Sequence, residues 1–243
     1  MHRHYVHAPI AEAVIDLRIE APEGLSVGVF AELQRRLEEQ FPVRLPIRTI
    51  EMGFVHQGEA EAEFHTAQEE VGVRLQTKSG DRVLQAQLSG FTLSHMAPYS
   101  NWETFRGEAQ AAWRVFLEVT GVRRVTRAAV RVINKLELPD ANVSQYTTLL
   151  PHVPAGPLGT INAFFMQLQV PMDHVVQGGQ ALVNVANAPQ ERGTSLVLDF
   201  DLFFAKVMDA SSPDVWSILD KLSAAKNEVF ESSITDKTRE MIS

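Results

Sequence analysis

Along residues 11–20, AEAVIDLRIE, apolar Ala11, Ala13, Ile15, Leu17 and Ile19 alternate with Glu12, Val14, Asp16, Arg18 and Glu20. A period of two predicts a strand with one face in a core and the other mostly charged. After the turn-forming APEG, Val29, Leu33, Leu37 and Phe41 recur every fourth position up to Pro42, which predicts an amphipathic helix ended by proline. Three strand-like runs follow, at 47–56, 70–78 and 82–96, the last two separated by the turn signal SGD. SNWE at 100–103 has the spacing of a capping box and opens a helix with Trp102, Phe105, Ala109, Trp113 and Phe116 on one stripe, closed by Gly121.

From residue 122 the order begins again. RVTRAAVRVINKLELP predicts a strand, 142–150 a short helix, 161–171, 180–188 and 194–204 three strands, and the chain from Ser212 a final helix. The two long helices align without gaps at a shift of 114, placing Trp102 on Trp216 and Phe116 on Phe230, and AVIDL aligns with AVRVI at a shift of 116. The pattern therefore predicts an α+β fold made by internal duplication of a β-α-β-β-β-α unit, residues 1–121 and 122–243. Their sheets join into one long antiparallel sheet with the helices on one face, because fusion extends a single core where each unit alone would be marginal. The proline-rich stretch 150–158, LPHVPAGPL, reads as a connection inside the second unit.

Composition narrows the function. The chain of 243 residues has no cysteine, which removes disulfides, thiol catalysis and thiolate metal sites. No apolar run approaches the ~20 residues of a membrane helix and no cationic, apolar leader opens the chain, so a cytoplasmic protein without a membrane partner is expected. A formal charge of −8 disfavours nucleic acid as a partner. Phosphate-cradling glycine loops, HExxH and GxSxG are absent from the sequence, which implies no cofactor and nominates no catalytic residue.

Five of the second half's eleven cationic residues lie between 123 and 135. In that strand Arg127 and Arg131 share a face. Guanidinium forks at strand spacing can grip successive phosphates, yet if the two opening strands meet at the seam, Glu12 and Asp16 fall opposite Arg131 and Arg127 as a ladder of ion pairs. Asn134 lies on the apolar parity of the same strand and needs partners for its amide, a backbone group at a bulge or helix end being the expected one. Asp199 and Asp201 share a strand face, a spacing open to a divalent cation, to acid and base work or to plain solvation. Arg74, Gln76, Gln85, Gln87, Gln167 and Gln169 extend the same polar sheet face. His2, His4 and His7 read as a polar lead-in to the first strand, with no metal site at that spacing.

HAPIAEAVIDLR, RAAVRVIN and NEVFESSIT together resemble a sporadically distributed family of uncharacterised bacterial proteins of similar length. Its opening pattern, asparagine-x-Pro-Ile-x-Glu-Ala-x-Ile-Asp/Glu-x-Arg, is carried here by His7, Pro9, Ile10, Glu12, Ala13, Ile15, Asp16 and Arg18, with histidine in place of asparagine. Its middle pattern is carried by Arg127, Arg131 and Asn134. The resemblance implies no activity, and by association a mobile-element or defence role; at fold level the doubled unit looks like TATA-binding-protein and helix-grip architectures. The reading that follows is a non-enzymatic accessory or regulatory protein recognising a protein partner through its polar sheet face or inter-unit groove. The alternatives are a helix-grip-like pocket binding a small anionic ligand at Arg127 and Arg131, and a metal-dependent hydrolase or nuclease using Asp199 and Asp201.

Overall fold

The computed structural model describes residues 5–55, 63–152, 154, 159, 161–191 and 193–243, with the backbone alone described at 50–55 and 63–67. His2 and His4 lie outside the described residues, as does much of the connection at 150–158. Nine strands form the continuous path of a ten-stranded sheet: β1 (Ile10–Glu20), β2 (Val43–Val55), β3 (Glu63–Gln76), β4 (Arg82–Gln87), β5 (Gly90–Met96), β6 (Arg124–Leu138), β7 (Phe164–Pro171), β8 (Gly179–Pro189) and β9 (Thr194–Phe204). Short β10 (Met208–Asp209) joins β6 off that path. The order is β2-β3-β4-β5-β1-β6-β9-β8-β7, antiparallel at every pairing, so β1 and β6 form the central seam.

Four α-helices accompany the sheet: α1 (Phe30–Leu37), α2 (Trp102–Thr120), α3 (Pro213–Ser233) and α4 (Asp236–Ile242). Ile15 and Leu17 of β1, Phe91 and Leu93 of β5, Val130 of β6 and Leu198 and Phe200 of β9 share one core with Phe30, Phe105, Trp113, Phe116, Leu219 and Leu222 of the helices. The predicted α2 stripe is buried along its length, from Phe105 through Ala109 and Trp113 to Phe116. Each such fully buried large side chain contributes on the order of 1.5–3 kcal/mol. The architecture is α+β with an antiparallel sheet, and no helix among the described residues is long and apolar enough to cross a membrane.

Several predicted elements take a different form. The run 82–96 is a hairpin, not one strand: Leu84 and Ala86 face the core from β4, whereas Phe91 and Leu93 do so from β5, so the buried parity flips across the two-residue turn. A Cβ on Gly90 would lie 2.6 Å from the Leu17 carbonyl oxygen, and only glycine lets β5 start so close to β1. The first half therefore carries four strands after α1, and the second carries three long strands and the short β10 after β6. The short helix expected at 142–150 is a single 3-10 turn, Val143–Gln145. The capping box moves by one residue: Asn101 is the N-cap, its side-chain oxygen accepting from the Thr104 N–H at 2.8 Å, because asparagine in extended backbone caps as well as serine. Ser212 caps α3 as expected, but the chain then turns into α4 instead of ending in one helix. Its Thr235 cap and the Thr147–Ile234 bridge fold α4 back toward the 3-10 turn.

Candidate functional site

The two faces of the central strands hold two different constellations. On the face away from the helices, Arg127 of β6 reaches Asp16 Oδ1 on β1 at 2.8 Å and Asp201 Oδ2 on β9 at 2.6 Å, with its guanidinium carbon 4.4 Å from the centre of the Phe203 ring. Arg131 grips Asp199 with two bonds of 2.7 Å each. Asp16 also accepts from Thr92 Oγ1 and from Arg18, and Asp199 from Asn184 Nδ2 at 3.0 Å. These arginines and acids lie along one seam, as the alternation requires: the expected Arg127–Asp16 pair forms, and the expected Arg131–Glu12 pair does not. In register, Arg131 faces Val14 and Asp16 faces Ala129, so Arg127 meets Asp16 on the diagonal, and Arg131 takes Asp199 in place of Glu12. Sheet twist and long guanidinium side chains make the diagonal neighbour reachable.

The consequence is chemical. Arg127 and Arg131 are paired with carboxylates, and Asp199 and Asp201 with guanidinium groups, so much of the charge on this face is neutralised within the sheet. Among the described residues there is no group of three metal-ligating side chains. Gln85 and Gln87 lie on the same open face, half-buried on β4, two strands from Asp16. Burial pushes the Asp201 carboxyl up from the usual carboxylate range against the pull of Arg127, and Asp201 Oδ1 is buried without a hydrogen-bond partner. Asp201→Asn is therefore expected to cost less than about 1 kcal/mol of unfolding free energy. Asp199→Asn, which turns an amide N–H₂ toward the Arg131 fork, costs about 2–3 kcal/mol; paired urea titrations check the order. A raised folded pKa stabilises the fold fully below the ordinary value near 3.8 and stops doing so as pH rises through the folded value, so Asp201→Asn removes that acid-side contribution.

On the helix side lies a cavity of about 850 Å³. Its floor is Val132 and Asn134 of β6 and Phe200 of β9. One wall is the segment 97–103 with the start of α2, another is Lys226, Asn227, Phe230 and Glu231 of α3, and the segment 5–10 runs along the third. The helices are tied beside it by Asp220, which accepts from Trp102 Nε1 at 2.9 Å and Arg106 Nε at 2.7 Å. The segment leading into β1 is tied by the His7 N–H to the Ile242 carbonyl at 3.0 Å, and Tyr5 Oη donates to Glu231 at 2.7 Å. Asn134 is buried beside the register shift between Ile10 and Glu12 and donates to the Leu198 carbonyl at 3.1 Å, so it bonds backbone next to a bulge.

Lys226 is the unexpected residue. It is 7% exposed, and its Nζ donates to Asn227 Oδ1 at 2.7 Å. No carboxylate lies within ion-pair distance of it among the described residues, and Glu231 on the same wall is engaged by Tyr5 and Arg239. Burial alone pushes its ammonium down to about 8. Tyr99 lines the same cavity, its hydroxyl buried and without a partner among the described residues; burial, followed by the charge of Glu103, pushes its phenol up. None of this was anticipated for the second helix, although the signal is in the sequence: at the shift of 114, Lys226 falls on Ala112, a buried position of α2. A lysine in an apolar helical stripe is a displaced charge.

Comparison with protein-family models, with curated proteins and with solved structures returns no match to this chain.

Proposed function

We propose that this chain is a non-enzymatic binding protein that takes a small anionic organic ligand in the cavity between α2, α3 and the central strands. The observation that carries this reading is the Lys226 ammonium, buried without an acidic partner in a cavity of ligand size. An isolated buried cation is costly, and a ligand carboxylate supplies the counter-charge that no side chain among the described residues supplies. Val132, Phe200, Phe230 and Trp102 give the rest of the ligand an apolar bed. On this reading the small anion binds on the side of the sheet opposite Arg127 and Arg131, the two residues at which the sequence alone suggested it.

The test is a series of aromatic and aliphatic carboxylates, each beside its alcohol, measured by thermal shift and titration calorimetry. Carboxylates are expected to bind at least ~tenfold more tightly than the alcohols, as one charge-assisted contact is worth ~1.4 kcal/mol or more. Lys226→Met abolishes that preference. At pH 8–9 binding takes up a proton, because the ligand's charge restores the protonated amine. Equal affinity of Lys226→Met for acid and alcohol alongside an unchanged wild-type preference supports the reading; a preference that survives the substitution overturns it.

A second reading, recognition of a protein partner across the open sheet face, is favoured by the exposed amides Gln167 and Gln169 and the half-buried Gln85 and Gln87 beside a charge-neutralised ladder. We also infer that residues 1–121 and 122–243 are copies of one unit. The reading is supported by the two opening strands meeting antiparallel at the centre and by a long helix following the last strand of each half. The extra hairpin and the lost helix are then later divergence. A cytoplasmic location belongs to the same proposal.

A further inference from the structure

We propose that Lys226 captures the carbonyl carbon of an aldehyde or ketone ligand as an imine, making the cavity a reversible covalent carbonyl site. The proposal rests on the cavity being a small-ligand site and adds the chemistry by which it holds one class of ligand.

A lone buried ammonium can be relieved in two ways: an anion can pair with it, or the charge can leave. Imine formation does the second. Imines are weaker bases than amines, so an apolar site that disfavours the ammonium favours the neutral imine. Three features of the cavity suit this step. Lys226 faces a space large enough for an organic molecule yet is itself shielded from bulk water. Its single side-chain hydrogen bond runs to the neutral amide oxygen of Asn227, which orients Nζ without holding a proton on it as a carboxylate would. Tyr99 lines the same cavity, and its raised pKa keeps it a neutral phenol that adds no anion to hold a proton on Nζ. The other titratable groups lining the cavity are Tyr5, Glu103 and Glu231, of which Tyr5 and Glu231 bond each other.

The step balances without a further reactant. The neutral Nζ adds to the carbonyl carbon, the C–O π pair goes to oxygen, and that oxygen takes a proton from water. The resulting carbinolamine loses hydroxyl as water while nitrogen gives up its two protons, leaving C=N and one water per ligand. With a pKa of about 8 against the usual 10.5, the neutral amine is on the order of a hundredfold more abundant at pH 7.5 than on an exposed lysine.

The experiment treats the full chain at pH 7.5 with 4-formylbenzoate and sodium cyanoborohydride, which reduces an imine to a stable secondary amine, and maps the modified lysines by peptide mass. Lys226 is expected to be modified at least ~tenfold faster than exposed Lys78 and Lys135, with a rate that rises toward a midpoint near pH 8. In Lys226→Arg the fast adduct is lost while the slow ones remain. Modification of Lys226 no faster than of Lys78, or a fast adduct that persists in Lys226→Arg, overturns the proposal. Terephthalate, with the same ring and a carboxylate in place of the formyl group, separates the two readings. If terephthalate raises the melting temperature while 4-formylbenzoate leaves Lys226 unmodified, the imine fails and the ligand cavity stands. If neither compound acts, both fail.

Discussion

Replacing Arg127 with methionine is expected to lower the unfolding free energy by about 3–5 kcal/mol, the usual cost of removing one partner from a buried charge cluster. Arg127 is the cation between two acids on different strands, Asp16 of β1 and Asp201 of β9, whose side chains are 13% and 18% exposed. Without it, two carboxylates are left flanking β6, and among the described residues Asp16 keeps Arg18 and Thr92. Adding Asp201→Asn to Arg127→Met should recover more than half of the loss, because it removes the acid with the fewest remaining partners. A double-mutant cycle in urea measures both effects. A loss below about 1 kcal/mol would mean that the ladder does not hold the seam together.

Lys226→Met should act in the opposite direction and stabilise the chain at pH 7 by about 3 kcal/mol, a rise of roughly 5–10 °C in Tm for a protein of this length. The magnitude follows from burial: the ammonium falls from its usual 10.5 to about 8, a drop of about 2.5 pH units at ~1.4 kcal/mol each. The sign follows from proton counting. Below pH 8 both the folded and unfolded chains hold the proton, and the folded chain bears the whole cost. Between pH 8 and 10.5 the unfolded chain holds more protons, so stability rises with pH; above 10.5 the cost is gone. The difference between wild type and Lys226→Met should therefore narrow from pH 8 upward, which denaturant titrations at pH 7, 8.5 and 9.5 resolve. A variant that is more stable but no longer discriminates acids from alcohols is the signature of a site that trades stability for binding. Destabilisation at pH 7 would instead make Lys226 a structural residue.

Much of the scaffold is legible in local periodicity. Alternation over 11–20 and 124–138 defines both seam strands and their buried faces, and the four-residue recurrence of Phe105, Ala109, Trp113 and Phe116 defines α2. The β4–β5 hairpin was legible too, but only to an eye for parity: the core positions pass from even at Leu84 and Ala86 to odd at Phe91 and Leu93. A continuous apolar run hides such a flip. The 3-10 turn at 143–145 and α4 were not legible, because both are held by bonds between distant segments, such as Thr147 to the Ser233 carbonyl and Thr238 to the Tyr146 carbonyl.

The candidate site divides in the same way. Arg127, Arg131, Asp16, Asp199 and Asp201 are recognisable as one charged sheet face from parity alone, since strand geometry within a segment sends every second side chain the same way. Which acid each arginine takes was decided by tertiary structure: the order β1-β6-β9 and the twist bring Asp199 to Arg131 and leave Glu12 out. Lys226 is the extreme case. The sequence by itself determined that a lysine occupies a core position of the last long helix. Only the folded arrangement of α2, α3 and the lead-in to β1 decided that it would have a cavity before it and no acid beside it, because a counter-charge is a matter of which distant segments meet, and periodicity carries no record of that.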